Sequence, residues 1–219
     1  MGALPPRPLG VFGKEYFNAG RGLSVESQVS RGQLTVKGLI LDRIDGTYEH
    51  PKSILVALWV SSLMRSGELS AIPESISSLL RDSLDVASWF AKTPYDDPVF
   101  AAAMALACGF MSGTSSKRAV DDLDAFRRNF TAFCAQEADI TSQLTFGEAD
   151  KRPAANPTNF RSAINIFCFG RHFIRSEKGY VGLGPVASRS GDYIVVFSGV
   201  AVPYIIRPVR GGCFKVIGH

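Results

Sequence analysis

The spacing of apolar residues changes twice along this chain, and the changes divide it. Over residues 33–44, QLTVKGLILDRI, Leu34, Val36 and Gly38 alternate with Thr35 and Lys37 before the run turns apolar throughout, the pattern of a strand entering a core. Asp45-Gly46 is a turn dipeptide and predicts its end. Over 52–66 the period lengthens: Ile54, Leu55, Leu58, Trp59, Ser62 and Leu63 recur at three and four, predicting a helix that Gly67 stops. Ile76, Leu79, Leu80, Leu84, Ala87 and Phe90 predict a second helix over 75–92, bounded by Pro73 and Pro94. Asp96-Asp97-Pro98 suits a helix entry, with a carboxylate near exposed amides and proline in the first turn. The helix it opens, reaching Met111, is apolar nearly all round and is expected at the centre of a helical layer. Val120, Leu123, Phe126, Phe130, Phe133 and Cys134 predict a long amphipathic helix within 116–143, broken at most once. A polar, proline-containing connection over 147–159 is the expected mobile loop or insertion site, and it leads to a shorter helix over 160–169.

After Gly170 the runs HFIRS, GYVGLG, DYIVVFSG, PYIIRPV and CFKVIG, separated by Gly, Pro and Ser, read as an antiparallel meander. The strand near 35–41 has no neighbour of its own kind among the helices, so it is expected to pair with this meander. The predicted fold is α+β. Four to five helices in a section spanning 50–169 pack on a small antiparallel sheet or barrel, formed by the 170–218 meander plus the N-terminal strand. Residues 33–219 are expected to form one domain. Residues 1–32, rich in Gly, Pro, Ser and Arg, read as an extended segment.

Composition supports a packed core. The chain has 219 residues, 46% of them hydrophobic and 20% charged, which excludes wholesale disorder and allows burial of roughly 70% of the unfolded surface. The longest apolar stretches, 54–64 and 99–111, fall short of the ~20 residues a spanning helix needs. Residues 1–13 carry prolines and no apolar signal core, and Pro6 stands where a myristoylation signal has Ser or Thr. Cys108, Cys134, Cys168 and Cys213 lack the close pairing of disulfide frameworks or zinc sites, so reduced thiols and a cytoplasmic location are expected.

Charge is uneven. From residue 160 to 219 there are eight Lys/Arg and two acidic residues, against 16 and 18 in the remainder. Arg171, Arg175, Lys178, Arg207 and Arg210, with Tyr180 and Tyr204, are the candidate binding set, a charged and aromatic face of the kind small barrels use for nucleic acid or peptides. A solvated surface is the plainer alternative. One tension is built in: Arg171, Phe173 and Arg175 alternate, which puts the phenylalanine on the arginines' side of a strand.

Candidate catalytic chemistry is thin. Cys168 and His172 are four residues apart, but the chain is expected to leave the helix from 169 onward, and a buried thiol beside a surface imidazole explains both. His50 is the one other histidine away from the terminus, too few for a zinc set. The acids at 96–97 and 121–124 sit near predicted helix starts, where carboxylates meet the helix dipole favourably. No cofactor and no metal is assigned.

The segment GYVGLGPVASRSGDYIVVFSGVAVPYIIRPV, residues 179–209, resembles the C-terminal part of fungal heterokaryon-incompatibility proteins. The elements that carry the likeness are Arg171, Phe173, Ile174, Ser176, Gly179, Tyr180, Gly182, Leu183, Gly184, Pro185, Gly191, Asp192, Pro203, Arg207 and Pro208. EYFNAGRG at 15–22 and LTVKGLILDRI at 34–44 also look like segments of those proteins, while in the helices only the order of elements agrees. The family's N-terminal effector-type domain, which resembles a Toll/interleukin-receptor fold, has no counterpart in these residues, nor does a GExYVHG-like continuation after the last strand. The resemblance implies a non-catalytic interaction or regulatory module of non-self recognition, acting on a protein partner. The alternatives are a barrel that binds nucleic acid or an anionic ligand through its basic face, and a hydrolase at Cys168 or Cys134 with His172. The motif residues also have backbone explanations: glycines at bends, Pro185 blocking strand extension, and Gly191-Asp192 as turn chemistry.

Overall fold

The computed structural model describes residues 27–30, 33–82, 86–114, 116–141 and 154–219. Among them are eight strands and six α-helices, and the fold class is α+β. EYFNAGRG at 15–22, most of the expected 1–32 segment and much of the 147–159 connection lie outside the described residues. Contacts gather into two compact units, one containing residues 27–43 and Gly191–His219, the other Ile44–Ser190.

The larger unit holds all six helices. α1 (Pro51–Ser66) starts with proline in its first turn and ends on Gly67, whose left-handed φ of 79° lets the cap amide reach Leu63 and Met64 carbonyls. Residues 54–60 of α1 are all buried, so this stretch of the helix is enclosed on every side and not merely along the stripe its spacing predicts. α2 (Glu74–Asp82) and α3 (Val86–Ala91) occupy the region expected to form one helix. α4 (Pro98–Leu106) opens as predicted, the Asp97 carboxylate accepting the Phe100 amide at 2.9 Å. It stops short of Met111 because Cys108 and Gly109 turn left-handed, with φ of 48° and 71°. A 3₁₀ turn at Ala119–Asp121 precedes α5 (Leu123–Glu137), capped by Asp122, and α6 (Pro157–Phe167) is capped by Asn156.

Phenylalanine fills the space between these helices. Phe160 of α6 meets Phe126, Phe130 and Phe133 of α5 at centroid distances of 5.6, 6.0 and 5.3 Å, each ring adding offset or edge contact to a large buried area. Phe100 of α4 reaches Phe126 at 5.7 Å. The Arg127 guanidinium, 4.0 Å from the Phe100 ring, pairs with Asp97 at 2.6 Å.

β1 (Ser27–Ser30) and β2 (Gln33–Val36) form a separate two-stranded antiparallel sheet with Ser27 opposite Val36, so the last described residues before 33 are already strand. β3 (Gly38–Tyr48) is long: its first part pairs with β6 (Tyr193–Phe197) and its second with β4 (Arg171–Ser176). The N-terminal strand therefore joins the C-terminal meander as expected. Asp45-Gly46 does not end it, however. The ladder shifts register between Ile44 and Gly46, so the dipeptide's conformational freedom is used in a bulge. β4 also pairs with β5 (Val181–Pro185), while β6 pairs with β7 (Tyr204–Pro208) and β7 with β8 (Phe214–Gly218), all antiparallel.

The β4–β5 turn is fixed by one glycine. Gly179 has φ of 84°, and a Cβ there would sit 1.9 Å from the Lys92 carbonyl oxygen. Its amide donates to the Ser176 carbonyl at 2.9 Å, and the Ser176 hydroxyl accepts the Tyr180 amide at 3.0 Å. Gly179→Ala adds backbone strain to a clash with another segment's backbone, so a stability loss of about 2–4 kcal/mol is expected in urea titration. A loss below about 1 kcal/mol would mean that this turn does not rest on Lys92 in solution.

Candidate functional site

The candidate basic set divides between the two units. Arg171, Arg175, Lys178 and Tyr180 belong to the helical unit; Tyr204, Arg207 and Arg210 belong to the other.

Arg175 resolves the alternation on β4. Phe173 is fully buried beneath Trp89, with ring centroids 5.5 Å apart, and Tyr48 closes the cluster at 6.4 Å from Trp89. The Arg175 guanidinium lies on the same side, 5.7 Å from the Trp89 centroid, and is ion-paired to Asp45. Its side chain is 13% exposed. Arg175 thus roofs an aromatic core with its stem and a cation–π contact, and the bulge at residues 44–46 of β3 carries its counter-ion. Tyr180 is exposed and stands edge-on to Tyr95 at 6.3 Å. Lys178 is exposed in the β4–β5 turn, and Arg171 begins β4, its amide bonded to the Cys168 carbonyl.

In the other unit Arg207 of β7 makes a two-pronged pair with Asp192, Nε to Oδ1 at 2.7 Å and Nη2 to Oδ2 at 2.8 Å. The Asp192 side chain is 1% exposed. Hydrogen bonding to Asp192 raises the Arg207 pKa, with the carboxylate's charge acting in the same sense. A base with a raised pKa contributes stability that is complete below its unfolded pKa, so this guanidinium introduces no pH dependence anywhere near neutrality. Tyr204 packs against Phe197 and His219 at 5.6 and 5.4 Å, and Arg210 is exposed in a 3₁₀ turn, Arg210–Gly212. Two of the five candidate cations, Arg175 and Arg207, are therefore committed to the fold.

The thiols are equally occupied. Cys168 caps α6 and donates its S–H to the Leu106 carbonyl at 3.6 Å, and His172 Nδ1 makes no hydrogen bond. No nucleophile–base pair forms between them. Burial pushes the Cys168 thiol up to about 12, the neighbouring Cys108 adding to the effect and Lys52 and Arg171 opposing it. Cys108 is raised to about 11, chiefly by burial, and Cys134 is raised by burial with Glu137 acting in the same direction. Cys168 lines an open cleft of about 440 Å³ with Glu49, His50, Lys52, Asn165 and Phe169, which its spacing to His172 does not reveal. Its walls come from the α1 entry and the α6 exit, where Lys52 Nζ donates to Asn165 Oδ1. The only signal for this was the shared polarity of two helix ends far apart in sequence. Among the described residues no three His, Cys, Asp or Glu side chains gather as metal ligands, and no helix is long and apolar enough to cross a membrane.

The Het-6 β-barrel domain model matches residues 110–219, just over half of the chain. The chain belongs to that family. The Het-6 barrel match takes in α5, α6 and β4–β8, and so both members of the Asp192–Arg207 pair. Over 42 residues the chain is 45% identical to heterokaryon incompatibility protein 6, OR allele, of Neurospora crassa, covering 19% of this chain and 6% of that protein. The chain thus spans a small fraction of that relative's length. No solved structure matches.

Arg207→Leu leaves a buried carboxylate uncompensated and is expected to cost about 3–5 kcal/mol in urea unfolding, with Asp192→Asn plus Arg207→Leu together costing less than the sum of the two. Strict additivity would mean that the pair is not formed in solution. For Cys168, a pKa near 12 against the ordinary 9.0 makes iodoacetamide labelling at pH 8 about a thousandfold slower than in urea, since only the thiolate reacts. Because the folded chain keeps these protons while the unfolded chain releases them, stability is expected to fall as pH rises above 9.

Proposed function

We propose that this chain is a non-catalytic interaction or regulatory module of heterokaryon incompatibility, working in the cytoplasm by binding a protein partner or restraining an effector. The observation that carries the reading is the Het-6 barrel match, joined to a 45%-identical segment in a protein named for heterokaryon incompatibility. Three features of the molecule support the non-catalytic part. The Cys108, Cys134 and Cys168 thiols are held protonated, the Cys168 S–H donates to a backbone carbonyl, and no histidine is hydrogen-bonded to it. All four cysteines are free, which suits a reducing compartment.

A nucleic-acid reading draws on the same basic C-terminal quarter but loses Arg175 and Arg207 to internal ion pairs. The two readings separate on salt. Tagged chain incubated with fungal lysate at low and moderate salt is expected to retain a protein partner at both, because counter-ion release does not dominate a protein interface. Nucleic acid recovered only at low salt would move the assignment to the basic face. Turnover of a nucleotide, peptide or ester by purified chain, abolished by Cys168→Ser or His50→Ala, would overturn the non-catalytic assignment.

A further inference from the structure

The unit formed by residues 27–43 and Gly191–His219 has an unusual surface chemistry. Its described residues include five basic side chains, Lys37, Arg43, Arg207, Arg210 and Lys215, and two carboxylates, Asp42 and Asp192. Both carboxylates are buried, at 8% and 1% exposure, and are engaged internally: Asp42 accepts the Arg43 amide, Asp192 the Arg207 guanidinium. Every charged side chain that this unit's described residues offer to solvent is therefore a cation.

β8 shows where that charge meets an open edge. It pairs with β7 on one side, Pro208 opposite Phe214, Arg207 opposite Lys215 and Ile206 opposite Val216. Its other edge carries no strand among the described residues. Alternation puts Phe214 and Val216 on one face, 48% and 55% exposed, and Lys215 on the other. Lys215 has no ion-pair partner among the described residues, and neither does Arg210 in the turn just before the strand. Open edges of this kind are templates for strand addition unless something blunts them, and Lys215 is the one charge on this one.

We propose that β8 is the docking edge for an extended acidic segment of a protein partner, which adds to β7–β8 as a further strand. Main-chain hydrogen bonds along β8 supply the affinity and its alternating side chains supply the selectivity. Neighbouring positions on one face of adjacent strands lie within side-chain reach. The added strand therefore carries apolar residues beside Phe214 and Val216 and Asp or Glu beside Lys215, with a further carboxylate reaching Arg210. The occupant is a peptide of alternating apolar and acidic residues. A second copy of this edge would bring Lys215 and Arg210 against their own kind. A nucleic acid stacking on this strand would need the Phe214 ring, which is already edge-on to Tyr193 at 6.1 Å.

This inference rests on the reading of the chain as a protein-binding module, and names its site. The test is fluorescence anisotropy on the full chain with three labelled probes: a nine-residue Val/Glu alternating peptide, the same peptide with Lys for Glu, and a single-stranded oligonucleotide of similar length. The acidic peptide is expected to bind at least about tenfold tighter than the basic one, and Lys215→Glu, at an exposed position with unchanged Tm, to remove about tenfold of that affinity. Equal binding of the two peptides, no binding, or indifference to Lys215→Glu overturns the proposal. Tighter binding of the oligonucleotide overturns it in favour of nucleic acid. If the partner retained from lysate is held equally by the Lys215→Glu chain, the protein-binding role stands and the β8 site falls.

Discussion

A carboxylate almost wholly withdrawn from water must be neutralised where it stands, and Asp192 is such a group. Arg207 answers it with two parallel hydrogen bonds from a planar fork, the geometry in which guanidinium and carboxylate hold each other best. The pair links the residue just before β6 to a residue within β7, and these strands meet through Tyr193–Ile206, Ile194–Ile205 and Val195–Tyr204. Val195, Ile205 and Ile206 are buried beside them. A slip of one residue along either strand would turn Val195 or Ile206, which share a face, to the opposite side and separate Arg207 from Asp192. Charge and hydrophobic pattern therefore enforce the same register.

The same economy governs the helical unit. Arg175 covers Trp89 and spends its charge on Asp45, and Arg127 covers Phe100 and spends its charge on Asp97. In each case the apolar stem or flat cation seals an aromatic cluster while an acid on another segment holds the head in place. The positive charge concentrated in the C-terminal quarter is thus partly internal structure. What it leaves for partners is smaller than the composition implies and is carried by fewer side chains.

Helix entries and the alliance of the early strand with the meander were legible because each depends on local spacing: Asp97 before Pro98, Gly67 after Ser66, alternation at residues 34–38. The departures have local causes that spacing does not record. Asp45-Gly46 has the same chemistry whether it turns the chain or bulges a strand, and pairing with β4 selects the bulge. Cys108 takes a left-handed conformation that its residue type does not announce, and this ends α4 early. The candidate site was harder still. A cation's partner is set by tertiary approach, and Arg207 and Asp192 lie 15 residues apart with nothing in either neighbourhood to pair them. Taken locally, Asp192 is turn chemistry after Gly191 and Arg207 is a cation offered to a ligand.

The contact between the β4–β5 turn and Lys92 has a consequence for how sequences of this kind can diverge. With no room for a methyl group between Gly179 and the Lys92 carbonyl, and with the Tyr95 hydroxyl accepting the Val181 amide at 3.5 Å, two segments more than eighty residues apart form one mechanical joint. Insertions in the turn and changes in the α3–α4 connection are then not independent events. Among relatives the length of one should be inherited together with the sequence of the other, so that this joint drifts as a unit while the exposed loops around it vary freely.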